Sequence, residues 1–242
     1  MITIAHLYYD LLNLYGESGN VKALKMALES IGVDVTVKLL TTDDTLDFSQ
    51  YDFVYLGMGT EENQMLALKH LLSYKEQIKT AIEHGTFFLA TGNAMELFGK
   101  YIIDQTGKKM KTLQIFPYTT KLETFRMVDE VLAKTEFTSS PILGFQNQFG
   151  VIKDSNHPIF TMIRGIGSYP NSKKEGYMNH HFFGTYFIGP ILIRNPELLE
   201  YFCTELCKEK KIKTRKKLKL DLERKAHNQF IEHYYKEEKA TK

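Results

Sequence analysis

Apolar and polar residues alternate with two different periods over the first hundred positions. Short apolar runs, often β-branched, predict buried strands at 2–7, 33–40, 52–56 and 86–90. Between these runs, apolar residues recur at helical spacing in 21–31 and 63–84, and Gly32 and Gly85 follow them as helix-ending glycines. Strands and helices in alternation favour a parallel sheet with helices on both faces.

The middle of the chain has a different pattern. Strands are predicted at 111–116, 121–137 and 141–145 without long helices between them, which is typical of an antiparallel extension of an α/β sheet. One more strand is predicted within 184–194. Pro196 then begins a helical extension that is predicted to continue to about residue 237. We interpret residues 1–242 as one domain.

Composition narrows the class of protein. Apolar residues make up 43% and charged residues 25% of the chain, as in ordinary globular proteins, and no apolar run reaches the length of a membrane span. A net charge of +2 does not by itself indicate a nucleic-acid partner. Two cysteines and no export signal predict a cytoplasmic protein. Cys203 and Cys207 share one helical face without further ligands, so we expect buried thiols and no metal.

Three loops follow predicted strands and should meet at the carboxyl edge of the sheet, where open α/β sheets build their sites. The first contains Gly57 and Gly59, whose backbone N–H groups can approach an oxyanion closely. The second is a sharp strand-to-helix turn with Gly92 at its apex, a position that presents a nucleophile in hydrolases. The third, 184–190, has no ionisable group except Tyr186. Each loop alone also fits a plain turn.

Together with the opening stretch 6–20 and with 144–148 and 194–198, these loops resemble the class I glutamine amidotransferases of the cobyric acid synthase type. Within that group the motifs are most similar to the glutaminase subunits of lipid II isoglutaminyl synthase. The resemblance implies a flavodoxin-like three-layer sandwich with a mostly parallel sheet, an antiparallel extension and C-terminal helices. It implies no cofactor. It also implies a set of candidate ligand-binding residues: Gly57, Gly59, Gln64, Asn93, Arg126 and Gln148.

Two departures from the family motifs bear on activity. The Cys-Gly-Gly-Tyr-Gln elbow of the family falls on 92–96, which places its cysteine at Gly92, and its histidine falls on Ile188. A thiolate nucleophile and an imidazole are what the glutaminase reaction needs, and losing such a pair costs on the order of 10⁶-fold in rate. We therefore predict a catalytically silent glutaminase. The alternatives are a glutamine sensor, or altered chemistry with His180, His181, Glu61 or Glu96 as acid or base.

The resemblance also implies a partner, a Mur-ligase-like synthetase of peptidoglycan amidation to which such subunits supply ammonia. The C-terminal region adds its own signal. Residues 208–225 contain ten Lys or Arg and three Asp or Glu. Apolar residues recur every four positions nearby, at Leu218, Leu222, Ala226, Phe230 and Tyr234. This pattern predicts an amphipathic helix with a basic flank, which either packs on the domain or docks an acidic partner.

Overall fold

A six-stranded sheet lies at the centre of the protein. The structure is a computed structural model that describes residues 1–153, 155–214 and 216–235. The described strands are β1 (Ile2–Leu7), β2 (Val35–Leu40), β3 (Phe53–Leu56), β4 (Phe87–Thr91), β5 (Tyr101–Ile103), β6 (Lys109–Lys111), β7 (Thr120–Lys134), β8 (Ile142–Ile152), β9 (Phe160–Arg164), β10 (Lys174–Glu175), β11 (Tyr177–Asn179) and β12 (Phe182–Thr185). The central sheet has the order β11-β12-β4-β3-β1-β2. Its pairs are parallel except for the edge strand β11.

The described helices are α1 (Ser18–Ser30), α2 (Glu61–Leu71), α3 (Lys75–Glu83), α4 (Ile191–Arg194), α5 (Pro196–Glu209) and α6 (Asp221–Tyr234). Of these, α1, α2, α3 and α5 cover the two faces of the central sheet. The alternation of side chains along β3 shows the two cores. Phe53 and Tyr55 pack beneath α1 and α5, whereas Val54 and Leu56 pack beneath α2 and α3. All four side chains are fully buried, as expected for a strand covered on both sides.

A second sheet extends the molecule. Its order is β10-β9-β7-β5-β6, with β8 also paired to β7, and most of its pairs are antiparallel. The register of β7 against β8 shifts between Leu122 and Met127, which marks a bulge. Helix α6 packs on this sheet through Ile231, and Tyr235, directly after the helix, packs beside it. The predicted fold, a mixed α/β sandwich with an antiparallel extension, is confirmed.

Three predicted elements were wrong in detail. The segment 112–116 is not a strand, because its backbone bonds to a 3-10 turn over Gly92–Phe98, as in Leu113 N–H to Leu97 O at 2.9 Å. The predicted helix over 63–84 is interrupted by a 3-10 turn at Leu72–Tyr74. The predicted strand within 184–194 ends at Thr185, and the short helix α4 follows.

The predicted helical extension over about 196–237 is two helices within the described residues, and 236–237 lie outside them. Helix α5 ends because Lys211 adopts a left-handed φ of 53° and its N–H bonds back to Lys208 O. The predicted apolar stripe does not form the packed face of α6. Leu222 and Tyr234 are 80% and 59% exposed. No helix in the described ranges is long and apolar enough to cross a membrane.

Candidate functional site

Three loops leave neighbouring strands at the carboxyl edge of the central sheet. The registers pair Leu56 with Ala90 and Thr91 with Thr185, so β3, β4 and β12 end side by side. The loop after β1 packs closely against the loop after β3. A Cβ placed on Gly57 would lie 2.4 Å from Leu12 O, so only glycine allows this approach. The loops that the sequence placed at one edge are therefore adjacent in the structure.

Gly92 is the first residue of the turn after β4 and has a φ of +60°, a conformation that favours glycine. The space beside it is filled by Met58 from the neighbouring loop. A Cβ built on Gly92 would lie 2.6 Å from Met58 Cβ and 2.8 Å from Met58 Cγ. Met58 is buried, with only 3% of its surface exposed. The elbow thus has no side chain at its apex and no room for one while Met58 keeps its position.

Ile188 lies three residues beyond the end of β12 and is fully buried. Its N–H donates to Phe145 O at 2.9 Å, which joins the loop to β8 as an isolated bridge. The preceding Phe187 stacks on Phe160 with ring centroids 4.8 Å apart. This position is therefore part of an apolar packed segment and carries no group that can exchange a proton.

Three of the candidate ligand-binding residues bond to one another. Asn93 spans both backbone groups of Gly59, because its Nδ2 donates to Gly59 O at 3.0 Å and its Oδ1 accepts from Gly59 N–H at 3.2 Å. Gln64 Nε2 donates to Asn93 O at 2.6 Å and to Glu96 Oε2 at 2.9 Å. All four residues are buried. Their polar groups are thus satisfied inside the protein.

Glu96 is a buried carboxylic acid beneath this cluster. Its Oε1 accepts a hydrogen bond from the Tyr186 hydroxyl at 3.0 Å, and its other oxygen accepts from Gln64. Burial raises the pKa of Glu96 to about 7, although both hydrogen bonds lower it. Burial also raises the pKa of the Tyr186 phenol, so this hydroxyl stays protonated and donates.

Glu17 is a central residue that the sequence did not single out. Its Oε2 accepts from the Tyr55 hydroxyl at 2.7 Å and from the Thr91 hydroxyl, and its Oε1 accepts from Gly189 N–H at 2.9 Å. The side chain is fully buried, and burial raises its pKa. Glu17 joins the loop after β1 to the ends of β3 and β4 and to the loop after β12. Its only sequence signal was a place in the opening motif 6–20.

Arg126 and Gln148 form their hydrogen bonds with residues outside the elbow cluster. Arg126 stands in the β7 bulge on the surface, donates to Asn147 Oδ1 at 2.8 Å and to Glu61 Oε1 at 3.1 Å, and stacks over Phe149. Gln148 is buried and bonds to Gln146 and to Gly150 O. Arg126 therefore links β7 to the start of α2 at the protein surface.

The histidines that the sequence offered for other chemistry, and the buried cysteine, lie away from the elbow. His181 precedes β12 and lies at the amino end of the sheet, where its Nδ1 is 3.1 Å from Ile82 O and its Nε2 is 3.9 Å from Glu209. His180 precedes it and lines a cavity with Ile82 and Glu83, at the same end of the sheet. Cys203 is on the buried face of α5, and burial raises its pKa to about 12. Within the described residues, no group of three or more His, Cys, Asp or Glu is placed to hold a metal ion.

The fold is that of the class I glutamine amidotransferases. A solved glutamine amidotransferase matches with a TM-score of 0.54 at 13% identity, over 84% of this chain and 98% of its own. One from Thermotoga maritima matches with a TM-score of 0.53 at 14% identity, over 94% of this chain and 92% of its own. At such identities the likeness establishes the fold alone.

The sequence establishes the family. The model of the CobB/CobQ-like glutamine amidotransferase domain matches residues 3–196, and this chain belongs to that family. It is 31% identical over 212 residues to the lipid II isoglutaminyl synthase (glutamine-hydrolyzing) subunit GatD of Streptococcus pneumoniae, covering 86% of this chain and 82% of the relative. It is 30% identical over 211 residues to the GatD subunit of Staphylococcus aureus, covering 87% and 86%.

Proposed function

We propose that this chain is a glutaminase-silent member of the family that acts as the non-catalytic subunit of a synthetase. The observation that carries the proposal is the elbow. The position from which the family nucleophile would attack is Gly92, and Met58 occupies the space that any side chain there would need. Glutamine hydrolysis through a covalent intermediate needs a thiolate at this point.

The second missing group supports the same conclusion. A general base must activate the thiol and return a proton to the departing ammonia. Ile188 holds that position, and it is apolar and fully buried. Glu96 is the acid nearest to the elbow in sequence, but both of its oxygens are engaged by Gln64 and Tyr186. The histidines at 180 and 181 lie at the opposite edge of the sheet.

The polar residues around the elbow favour a structural role over glutamine sensing. A bound carboxamide would have to replace the bonds of Asn93 to Gly59 and of Gln64 to Asn93 O. Each buried hydrogen bond broken without a replacement costs roughly 1–3 kcal/mol. The site is therefore built to hold its own loops together, and we expect no measurable glutamine binding.

The relatives guide the choice of partner. Both are named as subunits of lipid II isoglutaminyl synthase, and the likeness extends over more than four fifths of each chain. We propose a Mur-ligase-like synthetase in the cytoplasm as the partner, with a role in peptidoglycan amidation. In this assignment the chain supports the synthetase by contact, and the ammonia comes from another source.

The test is co-expression of this chain with a Mur-ligase-like synthetase encoded in the same genome. We expect the two to purify as one complex whose amidation of lipid II depends on an added ammonium salt and not on glutamine. A complex that uses glutamine as efficiently as ammonium would contradict the proposal that the chain is inactive as a glutaminase. Failure of every such synthetase to co-purify would contradict the partner assignment alone. A thermal shift with glutamine tests the sensor alternative, because a ligand of the native state raises the Tm.

A further inference from the structure

The segment between α5 and α6 carries an unusual concentration of unpaired positive charge. Some basic residues near it are neutralised: Lys208 Nζ lies 3.2 Å from Glu205, Lys210 Nζ lies 2.7 Å from Asp52, and Arg224 pairs with two glutamates. Six lysines are exposed and form no ion pair within the described residues. They are Lys211, Lys213, Lys216, Lys217 and Lys219 of the segment, with Lys225 in the second turn of α6, and together they define the lysine-rich surface.

The described residues of this segment, 210–214 and 216–220, include apolar side chains that are held against the body of the protein. Ile212 N–H donates to Cys207 O at 2.8 Å. Ile212 and Leu218 pack against the core beneath α5, and Leu220 is 8% exposed. Because the apolar residues point inward, the lysines between them point to solvent. The result is a fixed surface that displays cations.

An exposed apolar side chain stands at the end of this lysine-rich surface. Leu222 lies in the first turn of α6 and is 80% exposed. Its chain neighbours Asp221 and Glu223 are exposed acids, and Lys219 and Lys225 lie three residues before and after it. Exposed apolar side chains near lysines are a common feature of surfaces that attach to an anionic bilayer. The lysines are attracted to the headgroups and the apolar side chain enters the interface.

The lysine-rich surface lies towards the amino edge of the central sheet, whereas the elbow lies at its carboxyl edge. The end of α5, which leads into it, contacts the amino edge of the sheet: Lys210 pairs with Asp52 just before β3, and Glu209 lies beside Gly85 just before β4. Gly57 and Gly92 leave the carboxyl edges of the same two strands. Attachment at the lysine-rich surface therefore leaves the surface around Arg126 and the start of α2 accessible to another protein.

We propose that the lysine-rich surface, formed by the segment after α5 and the start of α6, docks the protein on an anionic phospholipid bilayer. The chemistry favours lipid over an acidic protein. Lysine is a hydrated point charge without the planar fork by which arginine recognises individual carboxylates, so six lysines suit a diffuse layer of charge. Each lysine near such a surface strengthens binding by roughly fivefold at low salt.

The experiment measures co-sedimentation of the full chain with vesicles of phosphatidylglycerol and phosphatidylcholine, since the protein has no tryptophan to report binding. We expect binding that increases with the phosphatidylglycerol fraction and is largely lost in 0.5 M salt, where charges are screened within a few ångströms. The triple variant K213Q/K216Q/K217Q should bind on the order of 100-fold more weakly. Leu222→Ser should weaken binding roughly fivefold.

The matched control is K108Q/K109Q/K111Q, which removes the same charge from exposed lysines at the β5–β6 hairpin. It should bind as the unaltered protein does, and both triple variants should keep its Tm. Equal losses in the two triple variants would overturn the proposal, since attraction would then follow net charge alone. Lysine-dependent binding to a polyglutamate peptide, without binding to vesicles, would also overturn it and would identify an acidic protein as the occupant.

Discussion

Placing a methyl group on Gly92 tests the packing of the elbow directly. In Gly92→Ala the new Cβ would lie 2.6 Å from Met58 Cβ, an atom whose position is fixed by its backbone and which no rotamer change can move. Relieving such a contact by shifting backbone costs about 1–3 kcal/mol. The left-handed φ of +60° adds about 1–2 kcal/mol for a residue with a Cβ. We expect Gly92→Ala to lower the free energy of unfolding by about 2–5 kcal/mol.

Two controls separate these contributions. Gly107→Ala has a left-handed φ of +87° but no atom within 4 Å of its Cβ, so it measures conformational strain alone. Met58→Gly removes the clashing atom, whereas Met58→Ala keeps it. In a double-mutant cycle Gly92→Ala should therefore couple favourably to Met58→Gly by about 1–3 kcal/mol, and less strongly to Met58→Ala.

The assay is urea unfolding followed by circular dichroism, with Tm as a second readout. A loss of 2–5 kcal/mol corresponds to a fall in Tm of roughly 5–15 °C for a chain of this size. The reasoning is refuted if Gly92→Ala costs no more than Gly107→Ala, or if its effect simply adds to that of Met58→Gly. Either result would mean that Met58 moves at little energetic cost and does not prevent a side chain at position 92.

Three other changes follow from the site. Glu17→Ala leaves the Tyr55, Thr91 and Gly189 donors without their acceptor, so urea unfolding should show a loss of about 2–4 kcal/mol, and a loss below 1 kcal/mol would contradict its role. Because burial raises the pKa of Glu96 from 4.5 to about 7, its contribution to stability is complete below pH 4.5 and is lost as the pH rises through 7. Glu96→Gln should thus reduce the fall in stability between pH 5.5 and pH 8 by about 2 kcal/mol, and an unchanged fall would refute the assignment. Arg126→Gln should change stability by less than about 0.5 kcal/mol, since its pair with Glu61 is exposed.

The central sheet followed from the sequence because its strands are short apolar runs with helices between them. The same rule failed at 112–116, where an apolar run packs against the 3-10 turn after β4 without pairing as a strand. The buried face of α6 was also predicted wrongly. The four-residue spacing predicted a buried stripe through Leu222, but Leu222 is exposed and Ile231 packs against the second sheet. The position of that sheet decides which face of the helix is buried.

The motifs predict that Gly92 and Ile188 replace the cysteine and histidine of the family, but they did not predict how the structure packs around these two residues. Met58 contacts Gly92 across two loops from different strands, and such a contact has no local pattern in the sequence. The pairing of Asn93 with Gly59 has the same origin. Motifs indicated which residues surround the elbow, and only tertiary contacts showed that these residues bond to one another.

The most direct test of the account is the release of ammonia from glutamine by the purified chain, alone and with its co-purified partner. We predict no release above the uncatalysed background in either case. Release at about 1 s⁻¹ or faster, within the usual range of enzyme turnover, would contradict the account. Loss of that activity in His181→Ala or Glu96→Gln would then identify the residue that performs it.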